Sequence, residues 1–121
     1  FQDLQRVFLK TVALGDVLRQ ALTPLNGRIT LAFIYGSLAR GEETAGSDID
    51  LFLVGDITLR EVTRVLGKIG RDVGREFNPA VYPPKEFRRK ASTRDHFITE
   101  VLESPKIWLI GNDHELARMA K

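Results

Sequence analysis

Residues 36–50, Gly36-Ser37-Leu38-Ala39-Arg40-Gly41-Glu42-Glu43-Thr44-Ala45-Gly46-Ser47-Asp48-Ile49-Asp50, constrain this chain more than any other stretch. An apolar run over 29–35 leads in, and a second over 49–54 leads out. Between them stand three glycines, three small hydroxyl residues, one arginine and four carboxylates. Such residues cannot build a core. They make a loop that closely approaches something charged, followed by two acids on a strand.

Spacing gives the geometry. Successive strand side chains point to opposite faces, so Asp48 and Asp50 share one face and Ile49 takes the other. Two carboxylates side by side repel, and a divalent cation relieves the conflict. Mg²⁺ is suited to one or two carboxylates, with substrate phosphate oxygens and water completing its shell. Gly36 has no Cβ, so a phosphate can approach the backbone. The Ser37 hydroxyl and neighbouring N–H groups then donate to it, and Arg40 adds a charge-assisted donor. Ser47 is a further candidate hydroxyl contact. A cation beside a phosphate cradle is the apparatus of phosphoryl or nucleotidyl transfer.

A strand, Gly36-Ser37, ten residues, then Asp48-x-Asp50 opening the next strand resembles the signature of the DNA polymerase beta-type nucleotidyltransferase superfamily. The small size resembles its minimal nucleotidyltransferase branch. The likeness is tightest over 33–54, and its register extends to about Tyr82. It implies the nucleotidyltransferase fold, a nucleoside triphosphate (ATP first) as substrate, and Mg²⁺ on Asp48 and Asp50. It also implies a third acid on a neighbouring strand, often written Gly-Arg-x-Val-Asp. Here that stretch is Gly74-Arg75-Glu76-Phe77-Asn78, so Asn78 stands where an aspartate is expected. Asparagine offers a carbonyl oxygen but no charge and no base. Glu76, two residues earlier, lies on the same face of a regular strand and is the candidate substitute. Two readings stay open: an active enzyme using Asp48, Asp50, Glu76 and Asn78, or a weak or inactive nucleotide-binding module.

At 121 residues the chain fits a single domain over 1–121 with one real core. The absence of cysteine excludes disulfides and thiolate metal sites. No stretch approaches a membrane span and nothing reads as a signal peptide, so a cytoplasmic location is expected. The chain opens at Phe1 rather than Met, so a fragment or processed product is expected.

Helical periodicity predicts a helix over 2–22, stopped by Pro24 and Asn26-Gly27. Strands are expected over 29–35 and 48–54. Thr58-x-x-Glu61 predicts a capping box for a helix ended by Gly70 or Gly74. A third strand over 75–82 contains Pro79, which assigns it to an edge or a bulge. A short basic helix over 85–90, a helix over 94–103, a strand over 106–110 and a helix over 113–120 complete the chain. The sum is an α/β (α+β) domain, a small mixed sheet of about four strands flanked by helices.

His96 and His114 read as surface or capping residues, and Trp108 as packing. Tyr35 and Tyr82 read either as base-stacking or as structural rings. The basic run Arg88-Arg89-Lys90 reads first as a solvated helix face and second as an anion-facing patch. A net charge of +2 and the lack of interleaved aromatics argue against direct nucleic-acid binding. The expected activity moves a nucleoside monophosphate from an NTP to an acceptor hydroxyl. The family resemblance admits a protein hydroxyl, as in toxin–antitoxin pairs, and leaves small-molecule and RNA acceptors open. The alternative is a regulatory module joined to, or partnered with, a DNA-binding regulator.

Overall fold

The computed structural model describes residues 2–42 and 48–121, with the side chains of the first helix described from residue 12 onward. The element order is α1 (Gln2–Ala21), β1 (Ile29–Tyr35), β2 (Ile49–Gly55), α2 (Leu59–Val73), β3 (Phe77–Tyr82), α3 (Pro84–Ser92), α4 (His96–Glu103), β4 (Ile107–Ile110) and α5 (Asp113–Met119). Residues Thr23–Arg28, expected only as a turn, wind into a 3-10 helix with Pro24 in its first turn. There the missing proline N–H costs nothing, because first-turn donors have no intrahelical acceptor.

The four strands form one mixed sheet in the order β3-β2-β1-β4. β1 pairs antiparallel with β2 and β4, and β2 pairs parallel with β3. The expected edge position of β3 is what the sheet shows. The Ile49 amide donates to the Glu76 carbonyl at 2.9 Å. With a period of two, Asn78 also turns its backbone to β2, and Pro79 turns its missing donor outward.

Alternation along β1 and β2 divides the core between the two sheet faces. Ala32, Ile34, Ile49, Leu51 and Leu53 meet Leu18 and Leu22 of α1 and Val62 and Leu66 of α2. Leu31, Phe33, Phe52 and Val54 meet Phe87 of α3, Ile98 and Val101 of α4, and Leu116 and Met119 of α5. The apolar run of β1 thus matches a strand covered on both faces. Phe52 stacks on Phe33 and Tyr82, with centroids 5.2 and 5.3 Å apart, and meets Phe87 edge-on. Truncating such a fully buried ring to alanine costs about 3–5 kcal/mol.

The helix boundaries follow from local chemistry. The Thr58 hydroxyl accepts from the Glu61 amide and the Glu61 carboxylate accepts from the Thr58 amide, so the predicted capping box forms. α2 ends at Gly74, whose φ of 67° is left-handed. Pro84 opens α3, and Asp95 caps α4 by accepting from the Ile98 amide. Trp108 packs edge-on against Phe33, with centroids 4.9 Å apart, and its indole N–H donates to Asp113. His96 is exposed and pairs only with Glu100 among the described residues, and His114 is exposed. No helix among the described residues is long and apolar enough to cross a membrane.

Candidate active site

The site is laid across three strands. Tyr35, the last residue of β1, pairs with Asp50 on β2, and Asp50 pairs with Asn78 on β3. The Asn78 side-chain amide donates to Asp50 Oδ1 at 3.2 Å. Directly after Tyr35 the chain turns through Gly36, with φ 77°. A Cβ on Gly36 would fall 2.3 Å from Asp50 Oδ2, so the carboxylate lies over the bare glycine backbone.

The segment after Gly36 is a compact turn rather than a helix. The Arg40 amide donates to the Gly36 carbonyl at 3.1 Å and the Glu42 amide to the Ser37 carbonyl at 2.9 Å. Leu38 is buried and anchors the turn in the α1/α2 face of the core. The Arg40 side chain is exposed and donates from Nε to Glu42 at 3.2 Å. That surface ion pair contributes roughly 0–1 kcal/mol, so an incoming anion can readily replace it. Ser47 lies outside the described residues.

Asp48 is exposed and stands one residue ahead of β2. Ile49 is fully buried on the α1/α2 face, so alternation puts Asp48 on the side of Asp50. Glu76 directly precedes β3, which begins at Phe77, and its carbonyl accepts from the Ile49 amide at 2.9 Å. Glu76 borders a groove beside α2, together with Phe77 and Pro79. Among the described residues no three acidic, histidine or cysteine side chains converge as a metal-binding group, so Glu76 is not gathered with Asp48 and Asp50.

Tyr35 shapes the wall next to Asp50. Its ring meets Phe33, Phe52 and Phe97 edge-on, with centroids 6.1 to 6.3 Å apart. Burial pushes its hydroxyl up to about 12, and Asp50 and Tyr82 add to the shift. Tyr35 therefore stays neutral at physiological pH and presents a donor beside the carboxylate. The sequence signal for this was slight: a tyrosine immediately before Gly-Ser.

The family profile of the nucleotidyltransferase domain matches residues 16–108, which include the glycine turn, both aspartates and all of β3. The chain belongs to the nucleotidyltransferase domain family. A putative protein adenylyltransferase of Methanocaldococcus jannaschii is 30% identical over 95 residues, which cover 78% of this chain and 93% of that protein. Among solved structures, a double aspartate-to-glutamate mutant of the toxin-antitoxin MntA-HpeT is similar with a TM-score of 0.63 and 17% identity. The likeness covers 88% of this chain and 80% of that one. A toxin-antitoxin crystal structure with AMP-PNP is similar with a TM-score of 0.57 and 13% identity, over the same shares of the two chains. At these identities the solved structures establish the nucleotidyltransferase fold.

Proposed function

We propose that this domain is a Mg²⁺-dependent nucleotidyltransferase that moves a nucleoside monophosphate, AMP first, from its triphosphate to a hydroxyl of a partner protein. The observation that carries this reading is the Asp50 carboxylate lying over the Gly36 backbone, within one turn of Ser37. An acid and an anion cradle this close have a use when a cation and a phosphate come between them. The adenylyltransferase relative and the solved neighbour holding AMP-PNP support ATP as donor. The toxin-antitoxin neighbours support a protein as acceptor.

The donor set suits Mg²⁺. Asp48 and Asp50 are hard oxygen ligands, and two carboxylates plus phosphate oxygens are a usual complement for this ion. Mg²⁺ held there would neutralise the triphosphate and polarise the α-phosphoryl group. The Gly36-Ser37 turn takes the phosphate chain against its backbone, and Arg40 exchanges Glu42 for a phosphate oxygen. The acceptor oxygen bonds to the α-phosphorus as the bond to the bridging oxygen breaks. Pyrophosphate leaves, and the acceptor's proton passes to water. Asn78 holds the third position as a neutral amide, fixing Asp50 by its hydrogen bond rather than adding a carboxylate. The aromatic wall of Tyr35 and Phe97 keeps water from one side of Asp50.

The test is transfer of label from ATP carrying the isotope on its α-phosphate to protein in a lysate of the native host. Asp48→Asn and Asp50→Asn should abolish labelling with the circular dichroism spectrum intact; undiminished labelling would remove this mechanism. A second reading, a nucleotide-binding module without transfer, is favoured by the missing charge at Asn78. Calorimetric binding of Mg²⁺-ATP with no pyrophosphate release under any acceptor would select it.

A further inference from the structure

Charge is divided unevenly along this chain. Residues 59–94, which make α2, β3 and α3, carry ten lysines and arginines against four carboxylates. The remainder carries eight against twelve. Within the basic segment, α2 packs beside the edge strand β3 on one sheet face, while α3 covers the other face. On α2, Arg60, Arg64, Lys68 and Arg71 follow at intervals of four, four and three residues, which aligns them on one face of the helix. All four are exposed, and none forms an ion pair among the described residues. Glu61, the one acid of the first turn, is committed to Arg28 by bonds of 2.6 and 2.9 Å.

Beside this row lies a groove of about 410 Å³ between α2 and β3. Leu66, Gly67, Gly70, Phe77 and Pro79 line it, with Arg71, Arg75 and Glu76 also at its border. An apolar trough with the cationic row Arg64, Lys68 and Arg71 along its helix has two complementary requirements: apolar side chains for the floor and carboxylates for the row. Position adds a third element. Phe77 and Pro79 of the groove flank Asn78, which bonds to Asp50. The groove is on the α1/α2 face of the sheet and the site on the other, so a chain held in the groove reaches the site around the edge strand β3.

We propose that the α2–β3 groove docks an acidic amphipathic segment of the acceptor protein, with apolar residues toward Phe77 and Leu66 and carboxylates toward Arg64, Lys68 and Arg71. This rests on the reading of a protein acceptor given above and names where that protein is gripped. The apolar floor, and the lack of exposed aromatic rings in α2, favour a protein over a nucleic acid, whose unpaired bases need stacking platforms.

The experiment measures binding with no nucleotide or metal present, so loss of transfer chemistry leaves it unaffected. The probe is a fluorescent 18-residue peptide with leucines on one helical face and glutamates elsewhere, read by anisotropy at low and moderate salt. Controls are the same peptide with lysine for glutamate, with alanine for leucine, and a single-stranded oligothymidine. The acidic amphipathic peptide should bind at least tenfold more tightly than each control. Arg64→Glu/Lys68→Glu/Arg71→Glu should weaken it at least tenfold. Gly67→Leu should do the same by filling the trough. A Cβ at Gly67 meets nothing closer than the flexible Arg71 guanidinium at 3.8 Å, and an unchanged circular dichroism spectrum checks that the variant is folded. Equal binding of the lysine peptide, undiminished binding to either variant, or tighter binding of the oligonucleotide would overturn the proposal. If the peptide binds as expected while Asp50→Asn leaves protein labelling intact, the docking site survives and the catalytic reading fails.

Discussion

Asp50 lies over Gly36 so closely that residue 36 has no room for a side chain: a Cβ would sit 2.3 Å from Oδ2. The same glycine has φ 77°, where a side chain is strained by about 1–2 kcal/mol before any clash. Gly41, with φ 74° and nothing within 4 Å of its would-be Cβ, isolates the conformational part. Gly41→Ala should therefore lose about 1–2 kcal/mol and retain transfer. Gly36→Ala should lose more stability and also lose transfer, because Asp50 must move. Thermal unfolding and labelling of the two variants make the comparison. Equal melting losses and equal activity would mean that Asp50 has another place to go.

Asn78 hydrogen-bonds Asp50 across the β2–β3 pair. Asn78→Asp replaces a donor by a carboxylate beside a carboxylate. Without divalent ions the pair should titrate at raised apparent values and the melting temperature should fall. With Mg²⁺ the order should reverse, since a third anionic ligand binds the cation more tightly. The expected sign is a Mg²⁺ midpoint at least tenfold lower than in the parent, equivalent to about 1.4 kcal/mol. Melting curves over a Mg²⁺ titration measure it. An unchanged midpoint would show that residue 78 does not face the ion.

What the sequence revealed, and what it concealed, divides along local and long-range lines. The strands around the loop, the capping box at Thr58 and Glu61, and the edge assignment of β3 each depend on a few adjacent residues, and each is found in the fold. The row Tyr35–Asp50–Asn78 was half legible: spacing put Asp50 on a strand and the family register put Asn78 beside it. Glu76 was the least legible candidate, because it stands between the left-handed Gly74 and the first residue of β3. The cluster of Phe33, Phe52, Phe87 and Phe97 draws on four elements, and no local pattern announces it. Gly70 read only as a possible helix end, and Gly67 had no local signal of its own. Their role as a groove wall needs the position of β3.

Tyr35 offers a reporter next to Asp50. Its hydroxyl is pushed up to about 12, first by burial and then by the Asp50 and Tyr82 charges, and Tyr82 is also raised. Because the folded value exceeds the unfolded value of about 10, neutral Tyr35 contributes stability fully present below pH 10. That contribution is lost as pH rises toward 12. In a Tyr82→Phe background the remaining phenolate should appear near pH 12 by absorbance while far-ultraviolet dichroism is native. Asp50→Asn should lower that midpoint only part of the way toward 10, since burial is the larger cause. A midpoint of 10 in the folded protein would place Tyr35 in solvent and remove the aromatic wall from the site.

The Arg28–Glu61 pair ties the entrance of β1 to the first turn of α2 and should govern acid stability. Arg28 donates twice to Glu61, and its Nε donates to the Asp56 carbonyl at 2.9 Å. The Arg28 hydrogen bond, followed by the Thr58 amide, holds Glu61 down to about 2, below the usual carboxylate value of 4.5. A depressed carboxylate contributes stability above its unfolded value and loses it as pH falls through its folded value. The window is therefore pH 4.5 down to 2. Glu61→Gln should flatten the fall in stability across that window, and Arg28→Met should shrink it, with the fall ending at a higher pH. Thr58→Ala should instead cost about 1 kcal/mol at pH 7, by removing the hydroxyl cap. Urea unfolding at pH 7, 4 and 3 separates these outcomes. Parallel curves for the parent and Glu61→Gln would mean that the pair is spectator to acid unfolding, with the cap alone holding α2 in register with β2.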